Sequence, residues 1–201
     1  MNSKIWSAAA YDRIFSPIYN ITTNLTGWQE DITKSALEGV KPCKMLDVGC
    51  GTGFVLSEAK RQGFEVQGVD YSEGMLTKAK EGTNLEESEL SVGSAEELKF
   101  ADDTFDFVLA SGVLVHLKDP SKAIAEMLRV LRADGLARII DHRRPKDPNP
   151  LYRIIEESRC KALGYHLHDY PTLAKTAGAK VLSLKEVGRH GYLQSCDFTN
   201  S

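Results

Sequence analysis

The sequence has few cysteines, and they form no pattern typical of a metal site or a disulfide framework. Its 201 residues include four, Cys43, Cys50, Cys160 and Cys196, which lie far apart without a Cys-x-x-Cys pair. Zinc knuckles require such closely spaced pairs, and small secreted proteins are typically dense in cysteine. The sequence therefore predicts neither kind of protein, and it favours a reducing, cytoplasmic location.

Long hydrophobic runs are also missing. No segment approaches the roughly 20 apolar residues that span a bilayer. The first residues, MNSKIWSAAAYDR, lack the apolar core of a secretory signal. We therefore expect a soluble protein without stable membrane insertion.

An excess of positive charge is absent too. The chain has 25 lysines and arginines against 28 aspartates and glutamates, which gives a net charge of -3. Proteins that bind nucleic-acid backbones usually carry a positive surface, so we expect no nucleic-acid partner. A short basic group, Arg138, Arg143, Arg144 and Lys146, is interpreted as scattered charge on a solvated loop.

The remaining composition is that of an ordinary globular protein, with 42% hydrophobic and 26% charged residues. A chain of this length can bury one sizeable core and is short for two. Residues 1–201 are therefore predicted to form a single domain. The oligomeric state stays open, with a homodimer as one option.

The most informative stretch is KMLDVGCGTG at residues 44–53. A short apolar run ends in three glycines at alternate positions, Gly49, Gly51 and Gly53, and a new apolar periodic segment follows. This pattern predicts a strand, a tight turn and a helix. Because glycine has no Cβ, a ligand can approach the main chain of such a turn closely. We therefore expect this loop to bind a nucleotide-like ligand.

Strand and helix patterns alternate through the rest of the chain, which predicts an α/β fold with a mostly parallel sheet. Further strands are predicted at residues 65–69, 90–92, 105–110 and 136–140. Helices are predicted at residues 28–37, 54–62, 72–82, 118–135, 151–163 and 171–176, with Ser72 and Asp119 as N-caps. Two alternating segments, 180–187 and 192–198, predict an antiparallel hairpin at a sheet edge.

Residues 1–40 are predicted to form a helical lid over the ligand crevice, in front of a core formed by residues 41–201. Five aromatic residues would line this lid: Trp6, Tyr11, Phe15, Tyr19 and Trp28. Burial in the core is the alternative for each of them.

Two kinds of ligand compete for the glycine loop. A dinucleotide fingerprint needs a small third residue for close helix packing, and Phe54 stands in its place here. The bulk of Phe54 argues against a pyrophosphate. Asp70, at the end of the second predicted strand, suits a ribose diol, because a carboxylate accepts hydrogen bonds from both hydroxyls. Ribose without pyrophosphate points to S-adenosylmethionine.

Five segments occur in the order LDVGCGTG, VDYSEGML, GSAEELKF, FDFVLASGVLVHL and VLRADG. They resemble the successive motifs of the class I, seven-stranded S-adenosylmethionine-dependent methyltransferases, of the type 11 and ubiquinone-menaquinone C-methyltransferase-like kind. The resemblance covers roughly residues 45–141. It implies a three-layer, doubly wound, Rossmann-like sheet with an antiparallel C-terminal hairpin, S-adenosylmethionine as cofactor and S-adenosylhomocysteine as product.

The resemblance also implies roles for the residues that match these motifs. Asp47 and the backbone of Gly49, Cys50, Gly51 and Gly53 would hold the methionine part of the cofactor. The remaining implied contacts involve Asp70 at the ribose, Tyr71 and Met75 at the adenine, and the carbonyls of Ala110 and Ser111 at the amino group.

One motif departs from the family pattern. Many relatives have Gly-Asp-Ala-Glu after the third strand, and their aspartate accepts a hydrogen bond from the adenine amino group. This chain has Gly93, Ser94, Ala95 and Glu96 there. The adenine contact is therefore open between Ser94, Glu96 and the backbone amide of Ala95.

Two histidines are candidates for a general base, which is needed only if the acceptor must lose a proton. His116 follows the fourth predicted strand and His142 follows the fifth, beside Asp141. Structural packing is the alternative for both. The cluster His166, His168 and Asp169 is interpreted as surface hydrogen bonding, and no metal site is predicted.

The leading hypothesis is methyl transfer to a small-molecule acceptor. The segments YDRIFSPIYN and DHRRPKDPNPLYR look like those of quinone-ring C-methyltransferases and phospholipid N-methyltransferases, which makes a quinone or phospholipid acceptor the alternative. A catalytically silent cofactor-binding module is a further alternative. A nucleic-acid or protein methyltransferase is disfavoured, because residues 110–113 lack the Asn/Asp-Pro-Pro-Tyr/Phe motif.

Overall fold

The fold comes from a computed structural model with side chains, and the structure describes residues 28–143, 154, 158, 160, 164–188 and 193–200. The predictions for residues 1–27, including four of the five lid aromatics (Trp6, Tyr11, Phe15 and Tyr19), lie outside these residues. Three further features also lie outside them: the side chain of Trp28, the residues Arg144 and Lys146, and most of the predicted helix at 151–163.

Within the described residues, seven strands form one sheet in the order β3-β2-β1-β4-β5-β7-β6. Strands β1 to β5 run parallel to one another, and β7 runs antiparallel to both β5 and β6. This arrangement confirms the predicted mostly parallel sheet with its antiparallel C-terminal hairpin. The strands are β1 (Lys44–Val48), β2 (Glu65–Asp70), β3 (Leu90–Val92), β4 (Phe105–Ser111), β5 (Leu131–His142), β6 (Ala179–Val187) and β7 (Leu193–Asn200).

Helices cover both faces of the sheet. They are α1 (Trp28–Leu37), α2 (Phe54–Arg61), α3 (Glu73–Gly82), α4 (Ser121–Val130) and α5 (Tyr170–Thr176). Met45 of β1 packs in a cluster with Ile32 of α1 and Leu56 of α2, whereas the next residue, Leu46, packs in a cluster with Ile124 of α4. Because alternate strand residues face opposite sides, this division confirms three layers.

Ser72 begins α3 as predicted. Its hydroxyl accepts a hydrogen bond from the backbone nitrogen of Met75 at 3.0 Å, which satisfies one of the free amides of the first helical turn. Helix α4 begins one residue later than predicted, because Pro120 is its N-cap and Asp119 accepts a hydrogen bond from the nitrogen of Ser121.

The prediction that Gly135 ends α4 was wrong. The helix ends at Val130, and Gly135 lies inside β5. A Cβ at Gly135 would lie 2.9 Å from the carbonyl oxygen of Asp106. The glycine therefore allows β5 to pass close to β4, at the point where their pairing register shifts.

The interpretation of the basic group as a solvated loop was wrong for its two described members. Arg138 is 6% exposed and forms a two-point ion pair with Asp197, at 2.7 Å and 2.8 Å. Arg143 is 9% exposed and pairs with Glu186 at 2.7 Å. A buried guanidinium is destabilising unless it is paired with an acidic group, and both acidic partners lie on the C-terminal hairpin.

Candidate active site

The candidate site lies where the connections from β1 and β4 leave the sheet toward opposite sides. The chain passes from β1 to β2 in one direction and from β4 to β5 in the other, so a crevice opens between the carboxyl ends of β1 and β4. The glycine loop follows β1 at this point. Ser111 ends β4, and Val113 lies against Gly49 of the loop.

The glycine loop has a backbone that other residues would strain. Gly49, Gly51 and Gly53 have φ angles of 76°, 54° and 71°, in the left-handed region. A Cβ on Gly49 would lie 2.2 Å from the Val113 side chain. The loop is held against β2, because the nitrogens of Gly49 and Cys50 both donate to the carbonyl oxygen of Val69. Its main chain is therefore held against β2, and the missing Cβ of Gly49 leaves room for the Val113 side chain.

Asp70 joins the end of β2 to the glycine loop. Its Oδ2 accepts a hydrogen bond from the nitrogen of Gly51 at 2.8 Å, and its Oδ1 accepts one from the nitrogen of Ser72 at 2.9 Å. Each carboxylate oxygen has a second lone pair that can accept a ribose hydroxyl. The bond to Gly51 was not predicted, and it fixes the orientation of this carboxylate.

Asp47 carries a buried carboxyl group without a matching donor. It is 1% exposed, and its Oδ1 has no hydrogen-bond partner among the described residues. Burial, with the Asp70 charge as a second cause, raises the pKa of Asp47 to about 8. A cationic group placed here would stabilise the ionised form. The α-ammonium of an amino-acid cofactor supplies such a cation, so Asp47 and the glycine loop fit S-adenosylmethionine.

A cleft of about 400 Å³, open solvent included, lies over Asp47 and the glycine loop. Helix α1 forms one wall and the start of α2 another. The lining residues are Gln29, Ile32, Thr33, Asp47, Gly49, Cys50, Gly51, Thr52, Phe54, Val55 and Ser111. Residues 28–37 belong to the predicted lid, but sequence reasoning did not name these three α1 residues, because apolar periodicity indicates only that one helical face is buried.

The residues assigned to adenine lie around the ends of β2 and β3. Met75 is 2% exposed, and its Cε approaches Gly51. The nitrogen of Gly93 donates to the carbonyl oxygen of Asp70 at 2.9 Å, which holds the loop at 93–98 beside β2. The hydroxyl of Ser94 accepts from the nitrogen of Glu96 at 3.2 Å. The adenine contacts of Tyr71, Ser94, Ala95 and Glu96 remain predictions.

The two candidate histidines meet at a tyrosine that sequence reasoning missed. The ring centroid of Tyr165 lies 5.2 Å from that of His116 and 4.7 Å from that of His142. His116 ends a 3-10 turn at Leu114–His116, and His142 ends β5. The segment that carries Tyr165 is held to this turn, because the nitrogen of His166 donates to the carbonyl oxygen of Val115 at 2.7 Å.

Asp141 connects the segments that carry this aromatic group. Its side chain is fully buried, and its Oδ2 accepts hydrogen bonds from the nitrogen of Val115 at 2.9 Å and from the hydroxyl of Tyr170 at 3.1 Å. Its Oδ1 accepts one from the nitrogen of His142 at 2.9 Å. Burial and the Asp141 charge raise the pKa of Tyr170 well above its usual range, so Tyr170 stays a donor.

His116 is neutral near pH 7. Burial lowers the pKa of His116 below its usual value of 6.5, nearby His142 lowers it further, and Asp141 opposes both effects. A neutral imidazole has a lone pair that can accept a proton. His116 therefore has the protonation state of a general base.

The remaining candidates make local contacts. The Nε2 of His168 lies 2.9 Å from the carbonyl oxygen of Leu117, and Asp169 is the N-cap of α5. No group of three His, Cys, Asp or Glu side chains among the described residues could hold a metal ion. Cys50 is buried, and burial raises the pKa of its thiol well above 9.0, which makes it unreactive at neutral pH.

This strand order, with a glycine loop after β1 and a carboxylate at the end of β2, defines the class I S-adenosylmethionine-dependent methyltransferase fold. A solved S-adenosylmethionine-dependent methyltransferase from Thermotoga maritima superposes with a TM-score of 0.71 at 20% identity, covering 94% of this chain and 99% of that one. Residues 46–139 match a family model described as a methyltransferase domain. The chain thus has the fold of these methyltransferases, and the matched segment, a little under half of its length, resembles a methyltransferase domain.

Two curated relatives carry quinone names. The 2-methyl-6-phytyl-1,4-hydroquinone methyltransferase 2, chloroplastic, of Oryza sativa subsp. japonica is 33% identical over 205 residues, covering 93% of this chain and 57% of the relative. The demethylmenaquinone methyltransferase of Staphylococcus aureus strain MRSA252 is 39% identical over 126 residues, covering 60% of this chain and 52% of the relative. The chain thus spans a little over half the length of these relatives.

No helix among the described residues is long and apolar enough to cross a membrane.

Proposed function

We propose that the protein transfers the methyl group of S-adenosylmethionine to a small molecule, specifically to the ring of a quinol. The observation that carries methyl transfer is the buried Asp47 carboxyl group, whose Oδ1 has no donor among the described residues and which shares one cleft with a glycine loop that is anchored to Asp70. The names of the curated relatives support the quinol ring as acceptor.

The cofactor supplies a methyl group that is bonded to a sulfonium sulfur. The leaving group is therefore a neutral thioether. The task of the chain is therefore to bind, to orient and to exclude water. In this proposal Asp47 and the glycine loop hold the amino-acid end, and Asp70 holds the ribose. Helix α1 closes the cleft from one side through Ile32 and its neighbours.

A quinol ring becomes a strong carbon nucleophile when one of its hydroxyls loses a proton. We propose that His116 accepts this proton, because burial keeps its imidazole neutral. His142 lies across the Tyr165 ring and is the second candidate. The flat faces of these three rings suit an aromatic acceptor.

Methyl-labelled S-adenosylmethionine tests the proposal when it is incubated with three acceptors in parallel: a short-tailed menaquinol precursor, a phosphoethanolamine lipid and duplex DNA. We expect label only in the quinol. Label in the lipid would replace the quinol by a phospholipid head group. Cofactor binding by calorimetry without transfer to any acceptor would instead favour a silent binding module.

The proposal includes a cytoplasmic location and no nucleic-acid partner. All four cysteines are free thiols, as a reducing compartment requires, and the net charge is -3. The plant relatives are named as chloroplastic proteins, so cell fractionation is the direct test. Sedimentation would distinguish a monomer from a homodimer.

A further inference from the structure

Thr33 on α1 has an unusual environment for a helical threonine. It is 8% exposed, and its hydroxyl has no hydrogen-bond partner among the described residues. A threonine in a helix commonly donates to the carbonyl oxygen four residues before it, and Thr33 does not. A buried hydroxyl without a partner destabilises a fold, so its presence on the wall of a cleft points to a ligand.

The position of Thr33 supports this reasoning. Thr33 and Asp47 both line the cleft over the glycine loop, and each has a buried side-chain oxygen without a partner among the described residues. The hydroxyl of Thr33 can donate a hydrogen bond, whereas the carboxyl group of Asp47 can only accept once a neighbouring cation has ionised it. A ligand that satisfies both must offer an acceptor and a donor at one end.

An α-amino acid group meets this requirement, because it carries a carboxylate and an ammonium on one carbon. We propose that Thr33 donates a hydrogen bond to the α-carboxylate of the S-adenosylmethionine amino-acid group, while Asp47 accepts from its ammonium. The inference rests on the proposed cofactor. It adds a binding residue from α1, outside the motifs that follow β1 and β2.

The position of α1 is fixed independently of any ligand. Arg138 in β5 donates to the carbonyl oxygens of Ser35, Ala36 and Glu38 at 2.9–3.0 Å, around the carboxyl end of the helix. Thr33 lies one turn before these carbonyls. Thr33 therefore lines the cleft on a helix that is anchored to the sheet.

Three ligands distinguish the Thr33 contact with the carboxylate from the Asp47 contact with the ammonium. They are S-adenosylhomocysteine, its decarboxylated analogue, which keeps the amine, and 5′-methylthioadenosine, which lacks the amino-acid group. A hydrogen bond to a charged group corresponds to roughly tenfold in affinity or more. We expect Thr33→Val to weaken S-adenosylhomocysteine by about that factor in calorimetry. The same substitution should change affinity for the other two ligands less than about twofold.

Two control variants accompany this measurement. Thr33→Ser keeps the hydroxyl and should bind S-adenosylhomocysteine as the unchanged protein does. Thr77→Val removes an exposed helical hydroxyl on α3, which bonds only to the carbonyl oxygen of Glu73, and should leave all three affinities unchanged. Asp47→Asn should weaken both amine-bearing ligands and spare 5′-methylthioadenosine.

Thermal unfolding without ligand gives an independent readout. Thr33→Val removes an unpaired buried hydroxyl, so its melting temperature should equal or exceed that of the unchanged protein. A residue that serves only the fold would lower it. A Thr33→Val protein that is less stable, or that loses affinity equally for S-adenosylhomocysteine and its decarboxylated analogue, would overturn the inference. Failure of the unchanged protein to bind S-adenosylhomocysteine would overturn the proposed function as well.

Discussion

The ion pair between Arg138 and Asp197 is expected to be the most sensitive point of the fold outside the apolar core. The two residues face each other directly in the antiparallel pairing of β5 and β7. Their side chains are only 7% and 12% exposed, and the guanidinium also stacks 5.9 Å from the ring of Phe107. The perturbation is Arg138→Met, which keeps much of the apolar stem and removes the charge.

The expected loss in the free energy of unfolding is about 3–5 kcal/mol, because removing one member of a buried pair leaves the other charge uncompensated. Asp197→Leu should cost a similar amount for the same reason. The double substitution leaves no buried charge. It still deprives the α1 carbonyls of their donor, which should cost about 1–3 kcal/mol. The double variant should therefore be more stable than either single variant.

Urea denaturation followed by circular dichroism measures the free energy of unfolding of the unchanged protein, the two single variants and the double variant. An unchanged dependence of this free energy on urea concentration indicates an intact two-state transition. Arg138→Met should also weaken cofactor binding, since α1 carries one wall of the cleft. A loss below about 1 kcal/mol for Arg138→Met would show that the charge is solvated, contrary to its burial. Additive effects in the double variant would show that the two side chains are not coupled.

Four further outcomes test the site. Asp70→Ala should abolish cofactor binding in calorimetry while the circular dichroism spectrum is retained, and unchanged affinity would refute the ribose contact. His116→Gln should reduce turnover far more than cofactor affinity and should remove the fall of activity at acidic pH that protonation of His116 produces; an unchanged pH profile would make His116 structural. Because the pKa of Asp47 is raised from 3.8 to about 8 on folding, Asp47 should contribute a loss of stability to the ligand-free protein as pH rises from about 4 to 8, and Asp47→Asn should lack this contribution. Cofactor binding at pH 7 should release about one proton, seen as a buffer-dependent enthalpy.

The cofactor half of the site could be predicted from sequence because it is built from short-range features. The glycine loop, Asp70 and the Ser72 cap all lie within 30 residues of one another, and each has a local reason for its residue type. The apolar patterns of β2 and β4 predicted their bounds within one residue. The same local reasoning failed at Gly135, where the glycine serves a close approach to Asp106 on another strand.

Long-range pairings were beyond the sequence. Arg138 and Asp197 are 59 residues apart, and only the register of β5 against β7 brings them together. The predicted strand at 136–140 contains Arg138, but nothing in that segment indicates its acidic partner. Tyr165 was missed for the same reason, since its position depends on a hydrogen bond between His166 and Val115, 51 residues away.

The two halves of the site therefore differ in how they are held. The cofactor side depends on backbone geometry that follows directly from β1 and β2. The proposed acceptor side depends on one buried carboxylate, because Asp141 joins the end of β5 to the turn after β4 through Val115 and to α5 through Tyr170. Side chains on this turn and on the segment before α5 can change while Asp141 keeps their backbones in place. Substitutions should thus be more readily accommodated around His116 and Tyr165 than at the glycine loop.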